Sequence, residues 1–431
     1  MLKKIFYILL LFISISVVGQ RTNSSPYSFF GIGQQYSFQT VEQSSMGGIG
    51  ISFSDTYHIN RVNPAGNANL RFSTYTIGIF SNDLTIDDGT KTQTSTSANL
   101  AYVNIGFPIG DKAGISFGLQ PNSSVGYSLL NINEDVTEAT RFYGTGGTSK
   151  LYASYGMFIA KDLSFGVEAE YIFGTTENNV LSQRQDVHLA TKNNEVTTVR
   201  GGGLKVGVQY KKELANKLTM NFGATVKFKS SYETNGDSYT YSLVVNENFS
   251  ESPRDTVQDA NGNKGIKVSG EFIIPTQAGL GLGIGKTGKW YTGLEYQFQD
   301  ALSISGSLLN VSSSYSYGKS NKISFGGYYL PKANSISSYW ERVTYRAGFR
   351  VENTGLLINN TSAPGNYTEI KDFGISFGLG LPLGRKLSNL NLGFEYGNKG
   401  TTSSNLVKEK YFNFRLSLSL NDSWFIKRRI D

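Results

Sequence analysis

The chain offers little for nucleophilic or metal chemistry, with two histidines and no cysteine. Neither His58 nor His188 has a second His or a Cys nearby, so the ligand spacing of a zinc site and the partners of a Ser-His-acid triad are both missing. Without Cys there are no disulfides and no thiolate metal sites. The glycine runs Leu280–Gly285 and Gly374–Gly380 are not phosphate loops, because neither leads into a helix start or a Gly-Lys-Ser/Thr sequence. Glycine at alternate positions instead lets another segment pack closely against a strand. The chain reads as a protein that is not an enzyme and that needs neither a metal nor a cofactor.

The remaining candidates are charges set on the polar phase of otherwise alternating stretches: Glu168, Glu170, Lys205, Lys227, Glu295, Arg346, Arg350, Glu395 and Arg415. Charges removed from water are costly unless paired. Glu395 and Arg415, on neighbouring stretches, are expected to form a cross-strand ion pair. Arg346 and Arg350 share one phase of one stretch, where a carboxylate ligand would suit them. Acids such as Glu42 and Asp55 would serve equally.

The elements that must position these charges are fourteen stretches of about ten residues between positions 71 and 420, apolar at nearly every second position. In Tyr411–Leu420 the side chains of Phe412, Phe414, Leu416, Leu418 and Leu420 share one face, and Asn413, Arg415, Ser417 and Ser419 share the other. One face suits lipid and the other water. Soluble strands average about five to six residues, whereas these approach the length a tilted strand needs to cross a bilayer. The linkers alternate: long near 81–96, 121–149, 175–199, 231–269, 300–319, 353–370 and 398–408, and short near 110–112, 161, 212–216, 286–287, 331–340 and 384–388. This pattern predicts an all-β, 14-stranded antiparallel transmembrane barrel with short periplasmic turns. Trp290, Trp340 and Trp424 fall at the short-turn rim, where an aromatic girdle belongs. Leu416 and Phe377 are then lipid-facing, and Ser417 and Ser376 face a lumen expected to tolerate charge. A run within the longest linker, Tyr239–Val245, is expected to extend the strands above the membrane if it forms a hairpin.

Residues 1–19 read as a signal peptide: Lys3 and Lys4 precede the apolar run Ile5–Val18, which ends in Val17-Val18-Gly19. That run is shorter than the roughly eighteen residues a spanning helix requires. Residues 20–70 do not alternate. They carry Gly31, Gly33, Gly47, Gly48 and Gly50, then Asn63-Pro64-Ala65-Gly66, and read as a hatch, since fourteen strands leave a lumen to fill. The barrel follows over 71–420, and 421–431, with Lys427-Arg428-Arg429, is expected as a solvated periplasmic tail. The formal charge of +7 becomes +5 without Lys3 and Lys4, which gives no sign of nucleic-acid binding. A hydrophobic content of 39% with many Gly, Ser, Asn and Tyr suits a barrel with a polar lumen in a Gram-negative outer membrane.

The run Ser45–Asp55, followed by Asn63-Pro64-Ala65-Gly66, resembles the hatch of the long-chain fatty acid transporter (FadL) family. The resemblance covers the hatch by motif and the rest by strand number and order. It implies a fourteen-stranded barrel, an N-terminal hatch, and a kink in the third strand that opens the wall to the bilayer. Ala113–Gln120 is followed at once by Pro121-Asn122, and Gln120, Pro121 and Asn122 are the expected kink. Proline, lacking an amide proton, sits at an edge, a bulge or a strand end. The implied function is passive uptake of a hydrophobic, fatty-acid-like molecule with sideways exit into outer-membrane lipid, gated by Gly47, Gly48, Gly50, Asn63, Pro64, Ala65 and Gly66. Asn63 is expected to hold the hatch against the break at 120–122. The alternative is a FadL-shaped barrel kept as an adaptor with protein partners in an outer-membrane secretion or assembly complex, as in PorV-like shuttle proteins. An open apolar path would favour the first and a solid plug the second.

Overall fold

The computed structural model describes residues 23–36, 39–133, 135–245, 251–258, 262, 264–309, 314–359, 365–384 and 388–422. The expected signal peptide, Trp424 and the basic tail lie outside them. Alternation of apolar and polar residues drives each stretch into a strand with one exposed and one buried face. The wall strands are β1 (Ser73–Asp87), β2 (Thr92–Ile109), β3 (Ala113–Val125), β4 (Glu138–Ala160), β5 (Leu163–Arg184), β6 (Ala190–Glu213) and β7 (Leu218–Lys227), followed by β8 (Gln277–Lys286), β9 (Trp290–Gln299), β10 (Ser320–Tyr329), β11 (Thr344–Asn359), β12 (Tyr367–Pro382), β13 (Asn389–Gly400) and β14 (Lys408–Asp422). Each pairs antiparallel with the next, and β14 returns to β1 from Ser73↔Asp422 to Asp87↔Lys408, closing a 14-stranded barrel. Closure leaves no free outer edge, which a wall in lipid requires.

Two of the expected long loops are largely strand. β4, β5 and β6 run 23, 22 and 24 residues, well past the bilayer, through segments expected as the loops near 121–149 and 175–199. Polar cross-strand contacts hold these extensions, including Thr176 Oγ1 to Thr197 Oγ1 at 2.9 Å and Asn194 Nδ2 to Asn179 Oδ1 at 2.8 Å. Ser230–Val245, which contains the run Tyr239–Val245, continues β7. It pairs with the far half of β6 and with Ile266–Ile274 ahead of β8, so the linker adds an extended hairpin and no wall strand.

The N-terminal segment packs on the inner faces of the wall strands. Residues 41–44 form one helical turn opened by Thr40, whose hydroxyl accepts from Gln43 N while Gln43 returns a bond to Thr40 N. Residues 64–69 form a 3-10 turn opened by Asn63, with Pro64 at its first position.

Candidate functional site

At the short-turn end, the N-terminal segment is pressed against bare backbone of the wall. Gly114, Gly156, Gly166 and Gly207 are paired in one row across β3 to β6. Further pairs stand on β7/β8 (Gly223↔Gly281), β10/β11 (Gly326↔Gly348) and β12/β13 (Gly378↔Gly393). A Cβ at any of these would overlap or crowd the segment: Asn67 O at Gly114, Pro64 O at Gly156, Asn63 Oδ1 at Gly207, Ile51 at Gly223 and Gly281, Met46 at Gly326, and Ser45 at Gly378. The glycines form a belt that lets two backbones touch. Gly47, at φ +69, adopts a conformation glycine tolerates best, and a side chain there would meet the backbone of Phe325 and Phe349.

Three asparagines and one glutamate complete this seal. Asn60 Nδ2 donates to the carbonyls of Gly50 and Phe53, and its Oδ1 accepts from Val62 N and Asn63 N. Asn63 Nδ2 donates to Ile51 O at 2.7 Å and Val208 O at 3.1 Å, and its Oδ1 accepts from Ala65 N. Asn67 Nδ2 reaches Ser116 and Ser154. On β9, Glu295 Oε1 accepts the amide protons of Gly50, Ile51 and Ser52 at 2.9, 2.6 and 3.1 Å. Three converging amides hold a carboxylate strongly.

The first residues of the segment sit toward the long-linker end. Ile32 joins Ile172, Val199, Tyr232 and Phe272 in one apolar cluster, and Tyr27 joins Tyr315, Leu356, Ile358 and Ile370 in another. The β2–β3 ladder ends at Val103↔Leu119. Beyond it β3 keeps its pairing with β4, with a register shift between Pro121 and Ser123. On the side β2 has left, Gln34 and Gln35 pair with Ser124 and Ser123, and Tyr36 N donates to Asn122 O at 3.0 Å. Both faces of β3 are buried over Asn122–Val125.

Between these two fastenings lies a chamber of about 410 Å³ whose lining includes Arg61, Lys150, Lys205, Lys227, Arg350, Asp372 and Arg415. Arg350 bonds Glu395, Glu352, Asp372 and the Tyr411 hydroxyl, and Arg415 Nη2 lies 2.7 Å from Glu395. On the β4–β6 side Arg61 pairs with Glu168 at 2.7 Å, and its guanidinium lies 3.1 Å from the centroid of the Tyr152 ring. The chamber's lining thus sets these charges among aromatic and aliphatic side chains such as Phe30, Phe80, Phe298, Leu302 and Leu356.

Several expectations need correction. Asn63 does not bond the 120–122 break; its donors go to β6 and β7, because the 3-10 turn it caps lies in the glycine belt. The hatch residue that reaches the break is Arg61, whose Nε is 3.4 Å from Gln120 Oε1. Arg346 and Arg350 do not converge on a shared anion. Arg346 bonds Asn391 Oδ1, and Asn391 bonds Glu42, while Arg350 turns to the acids above. Ser376 and Ser417 do not face open lumen. Both are buried, and Ser376 Oγ accepts Gly47 N at 2.9 Å. Asn60, Asn67, Arg61 and Tyr102, whose hydroxyl accepts Val41 N, were not singled out from sequence. The spacing of Asn60, Asn63 and Asn67 around Pro64 is a signal that could have found the two asparagines; Arg61 and Tyr102 carry none.

Solved structures of similar architecture include a Pseudomonas aeruginosa FadL homologue (TM-score 0.60, 14% identity, 90% of this chain and 99% of that one). The Pseudomonas putida toluene transporter TodX follows (TM-score 0.59, 14% identity, 90% and 99%), as does the Ralstonia pickettii toluene transporter TbuX (TM-score 0.56, 12% identity, 89% and 99%). At these identities the likeness is one of fold. The chain shares with them the closed 14-stranded antiparallel barrel. No curated protein sequence matches it. A family model described as BamG matches residues 1–431.

Proposed function

The chain belongs to the BamG family, and we propose that this member is a stoppered, non-transporting barrel that serves as a structural or adaptor subunit of an outer-membrane assembly or secretion complex. The observation that carries this reading is the seal at the short-turn end. Wall glycines on β3 to β8 and β10 to β13 lie against the N-terminal segment, and Glu295 ties down three of its amides. Moving such a stopper would break these bonds together and strip Arg61 from Glu168. Beyond the seal Arg61, Lys150, Lys205, Lys227, Arg350 and Arg415 interrupt the chamber's apolar lining, whereas a hydrophobic solute needs a continuous apolar path.

A second reading is passive uptake of a hydrophobic molecule with lateral exit at β3. One observation favours it: the β2–β3 ladder stops at Leu119, beside Gln120, Pro121 and Asn122, and what fills the gap is the N-terminal strand Gln34–Gln35. On this reading that strand, with Gly47, Gly48, Gly50 and Asn63–Gly66 behind it, is the gate.

The two readings separate on extraction from native membranes in mild detergent, combined with oleate uptake by cells with and without the protein. The adaptor reading expects a stoichiometric complex with other outer-membrane or periplasmic proteins and unchanged uptake. A monomer carrying a bound hydrophobe, with uptake lost on deletion, would reverse the order.

A further inference from the structure

At the long-linker end, where β4, β5 and β6 rise past the bilayer, the sheet has an outer strand on each side among the described residues. One is Glu251–Thr256, which pairs with Tyr241–Val245. The other is Ser128–Ile132, which pairs with Ala139–Tyr143 at the start of β4. Only the first is guarded. Glu251–Thr256 carries Pro253, Arg254 and Asp255, the kinds of residue with which outer strands resist further pairing. Ser128–Ile132 reads Ser-Leu-Leu-Asn-Ile, with neither proline nor charge, and its Leu130 and Ile132 are 65% and 51% exposed.

Two bonds at the ends of the unguarded strand fix its phase: Tyr127 O accepts Gly144 N, and Asn133 N donates to Glu138 O, both at 3.1 Å. In an antiparallel pair, residues bonded across the ladder alternate with residues whose N–H and C=O point the other way. Leu129 and Asn131 share the phase of Tyr127 and Asn133, so Ser128, Leu130 and Ile132 turn their backbone groups away from β4. Among the described residues no strand pairs with this outward row.

We propose that Ser128–Ile132 is a docking edge that takes an extended segment of a partner protein as an added strand, with apolar side chains set against Leu130 and Ile132. The proposal rests on the adaptor reading and names its point of contact. Backbone pairing supplies the attachment, and the two exposed apolar side chains select the segment. A second copy of this chain does not fit the edge. Two copies in one membrane are related by a twofold along the membrane normal, so their outer strands point the same way, whereas strands that pair through the same residues on both copies must run antiparallel.

The test compares hydrogen exchange at single amides in the complex extracted from native membranes with that in the purified full-length mature protein. The amides of Leu130 and Ile132 should exchange about a hundredfold more slowly in the complex. Leu130→Pro removes an outward amide and no bond to β4, and should cut retention of the partner about tenfold; Leu130→Val keeps the amide and should retain it. An intact complex in which both amides exchange as fast as in the isolated protein, or one that survives Leu130→Pro, would overturn the docking edge and leave the adaptor reading standing. Equal loss of the partner in both variants would place the contact in side chains and overturn strand addition. Protection in an assembly of this chain alone would overturn the choice of occupant. Extraction as a monomer would overturn the adaptor reading and this proposal together.

Discussion

Arg61 of the N-terminal segment and Glu168 of β5 are paired at 2.7 Å with side chains 1% and 0% exposed. The pair joins the stopper to the wall, and because Glu168 also holds Lys205 at 3.0 Å its two members are not equivalent.

Glu168→Gln leaves Arg61 and Lys205 without their carboxylate, and breaking a buried pair in this way costs about 3–5 kcal/mol. Arg61→Gln leaves Glu168 still paired with Lys205 and should cost less than half as much. Urea unfolding of both variants in the same detergent checks the asymmetry; equal losses would mean that Lys205 alone does not compensate Glu168.

Gly207→Val places a side chain where Asn63 Oδ1 lies, and Asn63→Ala removes the donor to Ile51 O and Val208 O. Either should release the segment at that point, and each carbonyl left unsatisfied costs about 1–3 kcal/mol. The expected result is faster proteolysis between residues 39 and 70, with the heat-modifiable gel mobility of the barrel unchanged.

Phe377 is 58% exposed on the outer face, so Arg there should cost about 2–4 kcal/mol near the bilayer midplane. Arg at Ser376 should be no better tolerated, since that hydroxyl is buried against Gly47. Gln297 lines the chamber, and Arg there should be nearly neutral. Refolding into lipid vesicles ranks the three.

His58, in the segment outside the spanning strands, donates from Nδ1 to Asp55 Oδ2, 2.7 Å away, and its Nε2 lies 3.6 Å from Glu42. Burial alone would push its pKa down, but the Asp55 and Glu42 carboxylates outweigh burial and raise it above the ordinary value. Its contribution to stability is then complete below about pH 6.5 and fades as pH rises through the raised value. For Asp55 burial acts upward and is outweighed by His58, so its pKa is lowered and its contribution fades only as pH falls through that lowered value. Protection of the segment from protease should therefore decline from mildly acidic toward alkaline pH. His58→Asn should flatten that decline; an unchanged profile would place its origin elsewhere.

Alternation made the strands, their number and their two faces legible, as in Phe412–Leu420, because a wall between lipid and a polar interior imposes a period of two. It carries no information about height. Ser376 and Ser417 were legible as inward, but not as lying at the level the stopper occupies. The far halves of β4, β5 and β6 are polar on both faces where they leave the membrane, so the pattern vanishes and strand reads as loop. Glu295 is 245 residues from Gly50, and backbone amides leave no side-chain signature of the partner they seek. The glycine belt was legible only in fragments, in runs such as Leu280–Gly285, since its rows assemble across strands distant in sequence.

The most direct test of the stopper as a fixed part is to lock it. Ile51→Cys with Gly281→Cys joins the segment to β8 where the two Cβ positions are 3.1 Å apart, in a chain with no other cysteine. Oleate uptake should then be measured in cells carrying the oxidised pair, before and after reductant. A stoppered adaptor predicts the same uptake in both states, equal to that of cells lacking the protein. Uptake that is present in wild type, falls on oxidation and returns on reduction would contradict it and establish a moving gate.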